Sequence, residues 1–117
     1  MRRLRVAMAC GLVLAAVAPV DATTGAEWRR QPEPAKRAYV DGVIDAWHGL
    51  VVVQESLGGR DRGIAVFADV VNCMRERLLL PPQIFTIVDR HVEDNPGLRS
   101  KDMADIIFAA LSLTCSR

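Results

Sequence analysis

Two cysteines, Cys73 and Cys115, bracket the part of this chain with the clearest helical periodicity. Between them Ile84, Phe85, Ile87, Val88 and Val92 recur at helical spacing, then Asn95-Pro96-Gly97 breaks the pattern. Met103, Ile106, Ile107, Ala110 and Leu111 form a second stripe, and Cys115, four residues beyond Leu111, continues its face. Cys73 sits at the end of a preceding stripe of Ile64, Phe67, Val70, Val71 and Met74. Both sulfurs therefore belong to apolar faces that must close on one core. Joining them would close a loop of roughly 43 residues and stabilise the fold by about 4 kcal/mol in the chain-entropy model. That is a large share of a total of about 5–15 kcal/mol. Whether they join depends on the compartment: an oxidising one favours the bridge, a reducing one leaves two buried thiols.

The amino-terminal stretch bears on that choice. Arg2, Arg3 and Arg5 precede an uncharged run, Val6 to Val20, rich in Ala, Val and Leu, and Val20-Asp21-Ala22 has small residues where a signal peptidase needs them. The pattern predicts a secretory signal over residues 1–22, cut after Ala22, and a periplasmic or secreted mature chain. The apolar run is shorter than the roughly 20 residues of a membrane span and ends at Pro19, so no membrane anchor is expected after cleavage. Cys10 leaves with the signal, which makes Cys73 and Cys115 an even pair. The whole chain has 15 Lys+Arg and 14 Asp+Glu; without Arg2, Arg3, Arg5 and Asp21, 12 and 13 remain. A near-neutral domain has no general electrostatic drive toward nucleic acid or anionic lipid.

The expected mature chain is of a size whose folding balance is marginal. Residues 23–34 read as a flexible lead-in, because Pro32 and Pro34 forbid a continuous helix, with Trp28 as its one anchor. The helical domain is expected over 35–117, as an all-α bundle of about four helices. The first runs from about Ala35 to Gln54 on the stripe Tyr39, Val40, Val43, Ile44, Trp47, Leu50, Val51; Gly42 and Gly49 within it point to a close neighbour or a bend. Gly58-Gly59 and Arg60-Asp61-Arg62 form a polar loop. A second helix covers Ile64 to Met74, and Leu78-Leu79-Leu80 before Pro81-Pro82 reads as an extended connector. The third helix runs from Pro82 or Gln83 to Glu93, and the last starts with Ser100 as its N-cap.

For chemistry the sequence offers little. It contains no phosphate-binding glycine loop, no dinucleotide fingerprint, no HExxH and no CxxC. His48 and His91 lie on different predicted helices and read as polar-face residues rather than metal ligands. A Cys73–His91–Asp89 nucleophilic set would need a free thiolate, which a bridged cysteine does not supply. Asp89, Glu93 and Asp94 read as a solvated helix face rather than an acid–base cluster. The reading is a non-enzyme with neither metal nor cofactor. Binding, if present, is placed on the exposed loops: Gly58, Arg60, Asp61 and Arg62, and the corner Glu93, Asp94, Asn95.

Four stretches carry a family resemblance: Arg37-Ala38-Tyr39-Val40-Asp41-Gly42-Val43; Cys73; Gln83 to His91 leading into Asn95-Pro96; and Ala104 to Leu111 ending at Cys115. Together they resemble the type VI secretion immunity proteins of the Rap/Tai type, small periplasmic helical proteins that block peptidoglycan amidase toxins. The resemblance implies a protein partner, a cell-wall amidase; a homodimer is compatible with any small helical domain of this kind. Two positions depart from that family's pattern: Pro81-Pro82 follow Cys73 by eight residues rather than closely, and Thr114 stands where a proline precedes the last cysteine. The acid-stress periplasmic chaperones of the HdeA type, also small, helical and held by one disulfide, are the alternative. They imply a holdase activated by acid.

Overall fold

The structure is a computed structural model that describes residues 23–59 and 61–117. The segment expected to be an export signal, with Cys10, lies outside the described residues. Among the described residues there are five α-helices and no strand: α1 (Gly25–Arg30), α2 (Glu33–Ser56), α3 (Arg62–Glu76), α4 (Pro81–Asp94) and α5 (Met103–Cys115). A 3-10 turn, Pro96–Ser100, joins α4 to α5. The architecture is the expected small all-α bundle, and Cys73 and Cys115 are bonded, with their Cα atoms 6.1 Å apart.

The long α2 is the spine. Pro34 sits in its first turn, where the missing N–H costs nothing. Its buried face is Val40, Ile44, Trp47 and Val51, at the predicted spacing. Near its start α2 meets α4, with Arg37 over the Phe85 ring, and farther along it meets α3, with Trp47 against Phe67, while α5 closes against α3 and α4. Val71, Val88, Met103, Ile107 and Leu111 are among the side chains fully withdrawn from water where these helices converge. Trp47, Phe67 and Phe108 meet in an aromatic cluster, with ring centroids 5.3–5.9 Å apart. The disulfide pins the end of α5 to α3. Beside it Arg77 donates to the carbonyls of Thr114 and Cys115, at 2.7 and 3.2 Å, satisfying acceptors that the end of a helix leaves open.

Three expectations need correction. The lead-in is not loose throughout: residues 25–30 form α1, capped by Thr24, whose Oγ1 accepts from the Glu27 N–H at 3.3 Å while the Glu27 carboxylate accepts from the Thr24 N–H at 2.8 Å. Pro32 ends that short helix rather than preventing it. Trp28 is 1 % exposed. Its Nε1–H donates to Asp89 Oδ1 at 2.9 Å, and Lys36 reaches the same oxygen at 3.1 Å.

Ser100 does not cap α5. It ends the 3-10 turn, and the N-cap is Asp102, whose side chain makes no cap bond. The N-terminal segment supplies an acceptor instead: Met103 N–H donates to the Thr23 carbonyl at 2.7 Å, and Gly25 N–H donates to the Lys101 carbonyl at 3.0 Å. This two-sided contact makes the Thr24–Asp102 bridge and presses α1 onto the 3-10 turn. A Cβ at Gly25 would lie 2.6 Å from the Leu98 carbonyl oxygen, so only glycine fits there. Gly42 and Gly49, by contrast, have nothing within 4 Å of where a Cβ would stand, so neither marks a close neighbour.

Candidate functional site

The loop after α2 is ordered by its own polar groups. Gly58 and Gly59 take left-handed φ values of 76° and 69°, which glycine adopts without penalty. Asp61 is the N-cap of α3: its Oδ1 accepts from Gly63 N–H at 2.8 Å and Ile64 N–H at 3.1 Å. Buried Gln54 donates to the Asp61 carbonyl at 2.9 Å. Asp61 thus has a local structural task. Arg62 is the exposed first residue of α3, and Arg60 lies outside the described residues.

The corner after α4 is also tied down. Glu93 pairs with Arg29 of α1 at 3.1 Å, and Asn95 donates to the His91 carbonyl at 2.8 Å. Asp94 is exposed and, with Arg90, His91 and Arg117, lines a shallow cleft of about 300 Å³ between α4 and α5, whose walls are polar and apolar in equal part. The two predicted loops do not form one surface. Lys36, near the start of α2, packs beside the α4 corner through Asp89, whereas Gln54 lies under the other loop. Eighteen residues of helix separate those anchors, a rise of about 27 Å.

The catalytic sets drawn from the sequence are not assembled. Cys73 is bonded to Cys115, and Asp89 is engaged by Trp28 and Lys36. His48 lies 3.3 Å from Arg75, and His91 lies 3.4 Å from Asn95. Among the described residues no three His, Cys, Asp or Glu side chains converge as a metal group.

One surface stands out that the sequence reading passed over as a connector. α3 ends in a Schellman turn: Leu79 N–H donates to the Met74 carbonyl and Leu78 N–H to the Arg75 carbonyl, both at 3.0 Å. The residue after the C-cap in this turn must be left-handed and is usually glycine. Here it is Leu78, at φ 53° and 79 % exposed, the single non-glycine residue with positive φ among the described residues. A leucine in that region costs about 1–2 kcal/mol, and its side chain recovers little of that by burial. Leu80, extended before Pro81, is 62 % exposed. Together with Leu79 they border a mainly apolar cleft of about 410 Å³, floored by Ile44, Met74 and Ile84 and flanked by His48 and Arg75. Among the described residues no acidic side chain lines it. The signal was present in the sequence as three leucines placed outside both neighbouring helical stripes.

Against known proteins, the chain matches no family model, no curated protein and no solved structure. The site is therefore argued from its own geometry. What the Leu78–Leu80 cleft offers is apolar area on a rigid support: the turn is fixed by the end of α3, and Leu80 N–H is held by Gln83 Oε1 at 2.8 Å. Other large apolar side chains, Val52, Leu57 and Val66, are also exposed. None of these has the strained backbone of Leu78.

Proposed function

We propose that this chain is an exported binding protein that occludes an enzyme partner, a peptidoglycan amidase. The observation that carries the binding role is the Leu78–Leu80 cleft: two exposed leucines, one held at a backbone cost, beside an apolar hollow. Strain retained on a surface, where no core requires it, points to a contact made with another molecule. The partner class comes from the resemblance carried by Arg37 to Val43, Cys73, Gln83 to His91 with Asn95-Pro96, and Ala104 to Leu111 with Cys115. The disulfide supports the exported setting, since such bonds persist where the environment is oxidising.

The test is direct. Purified chain with its disulfide intact is mixed with amidases encoded beside it in its genome, and release of peptidoglycan fragments is followed. Stoichiometric inhibition, with a stable complex on gel filtration, is the expected result. Full amidase activity at saturating protein would overturn the proposal.

A further inference from the structure

We infer that the Leu78–Leu80 cleft receives one short segment of a protein partner, an apolar side chain flanked by a carboxylate. The inference rests on the binding reading above and names what the cleft would bind. Its apolar part follows from the floor of Ile44, Met74 and Ile84 and from the exposed Leu78 and Leu80. At about 410 Å³ the cleft lies near the lower end of the roughly 300–1,000 Å³ range of ligand clefts, which suits a short segment rather than a whole helix.

The carboxylate follows from the rim. Arg75 is exposed and its guanidinium meets His48 Nδ1 at 3.3 Å. That contact engages the guanidinium with a single ring nitrogen, a weak use of a group that binds carboxylates through a planar fork. Among the described residues no acidic side chain lines the cleft to compete. An incoming carboxylate beside an apolar anchor would take the guanidinium while the anchor fills the hollow, so the two contacts fix one orientation.

Leu78 makes the idea separable from folding. Glycine at its position would relax the left-handed turn and remove the isobutyl group. Leu78→Gly should therefore hold or raise thermal stability while weakening the contact. Arg75→Gln removes the charge without touching the core.

The experiment uses the full oxidised chain and an acetylated, amidated tetrapeptide, Gly-Leu-Asp-Gly, with Gly-Leu-Asn-Gly as its uncharged counterpart. Binding is followed by the NMR signals of the Leu78 and Leu80 methyls and of the Arg75 side chain. The expected result is saturable shifts with the Asp peptide, and affinity lower by roughly tenfold or more for the Asn peptide, for Leu78→Gly and for Arg75→Gln. Equal affinity for the two peptides, shifts elsewhere on the surface, or no shifts would overturn the inference. So would shifts of the same signals with protein concentration alone, which would assign the face to a second copy of the chain. The same variants are tested against the amidases. Inhibition unchanged in both variants would sink the cleft and leave the function standing. Peptide binding without any amidase inhibition would sink the amidase partner and leave the cleft standing.

Discussion

Removing the disulfide should cost this fold more than any other change to a half-buried side-chain pair. Cys73 and Cys115 are 42 residues apart in sequence. Closing such a loop lowers the entropy of the unfolded chain by an amount worth about 4 kcal/mol at 25 °C. The native-state loss should be small by comparison. Both cysteines are only partly buried, so Cys→Ser at each leaves no deep cavity, and Arg77 still holds the Thr114 and Cys115 carbonyls. The estimate is therefore mainly a property of loop length. Urea unfolding of the oxidised chain, the reduced chain and a Cys73→Ser/Cys115→Ser variant gives the measurement. The reduced chain and the variant should agree with each other and lie about 3–4 kcal/mol below the oxidised chain. Their m-values should be larger, because an uncrosslinked chain exposes more surface on unfolding. A loss under about 1 kcal/mol would refute the reasoning, since it would mean that the bond joins segments the unfolded chain already keeps together. A total near about 5 kcal/mol for the oxidised chain would leave the reduced form partly unfolded.

Other consequences follow from individual contacts. Gly42→Ala and Gly49→Ala add a methyl where nothing stands within 4 Å, so each should stabilise by up to about 1 kcal/mol in a thermal melt, whereas Gly25→Ala should destabilise by its clash with the Leu98 carbonyl. Trp28→Ala should cost about 3–5 kcal/mol of local stability and release α1, read as faster trypsin cleavage at Arg29 and Arg30; Trp28→Phe keeps the ring against Tyr39 and Phe85 and should protect in part. Burial, and secondarily the charge of Asp102, raises the Tyr39 pKa above its ordinary value. The fold then favours the neutral phenol, so the stability it contributes is complete below about pH 10 and is lost as pH rises through the folded-state value. Tyr39→Phe should flatten that alkaline decline in stability measured from about pH 9 to 11.

What could be read from the sequence, and what could not, divides along one physical line. The stripes of α2 to α5 were legible because each is a local period of 3.6 residues, and a helix's buried face depends on that spacing more than on its neighbours. The bridge was legible because both cysteines extend such stripes. The order of the lead-in was not, because it rests on partners far away in sequence. Trp28 is held by Asp89, the start of α5 by the Thr23 carbonyl, and Gly25 by its fit against Leu98. Each is a single contact with no periodicity to announce it. Gly42 and Gly49, which have no close neighbour, were left undecided for the complementary reason: a helical glycine is compatible with close packing, a bend or an exposed face, and its local sequence does not decide among them. Leu78 belongs with these. The exit from α3 demands a left-handed residue, the sequence offers leucine, and nothing local reveals that the turn closes there rather than one residue later. A residue that contradicts its own backbone, and gains no burial in exchange, is where the fold alone stops accounting for the sequence. On the binding role proposed above, the reason for a leucine at that point lies in what the exposed turn meets.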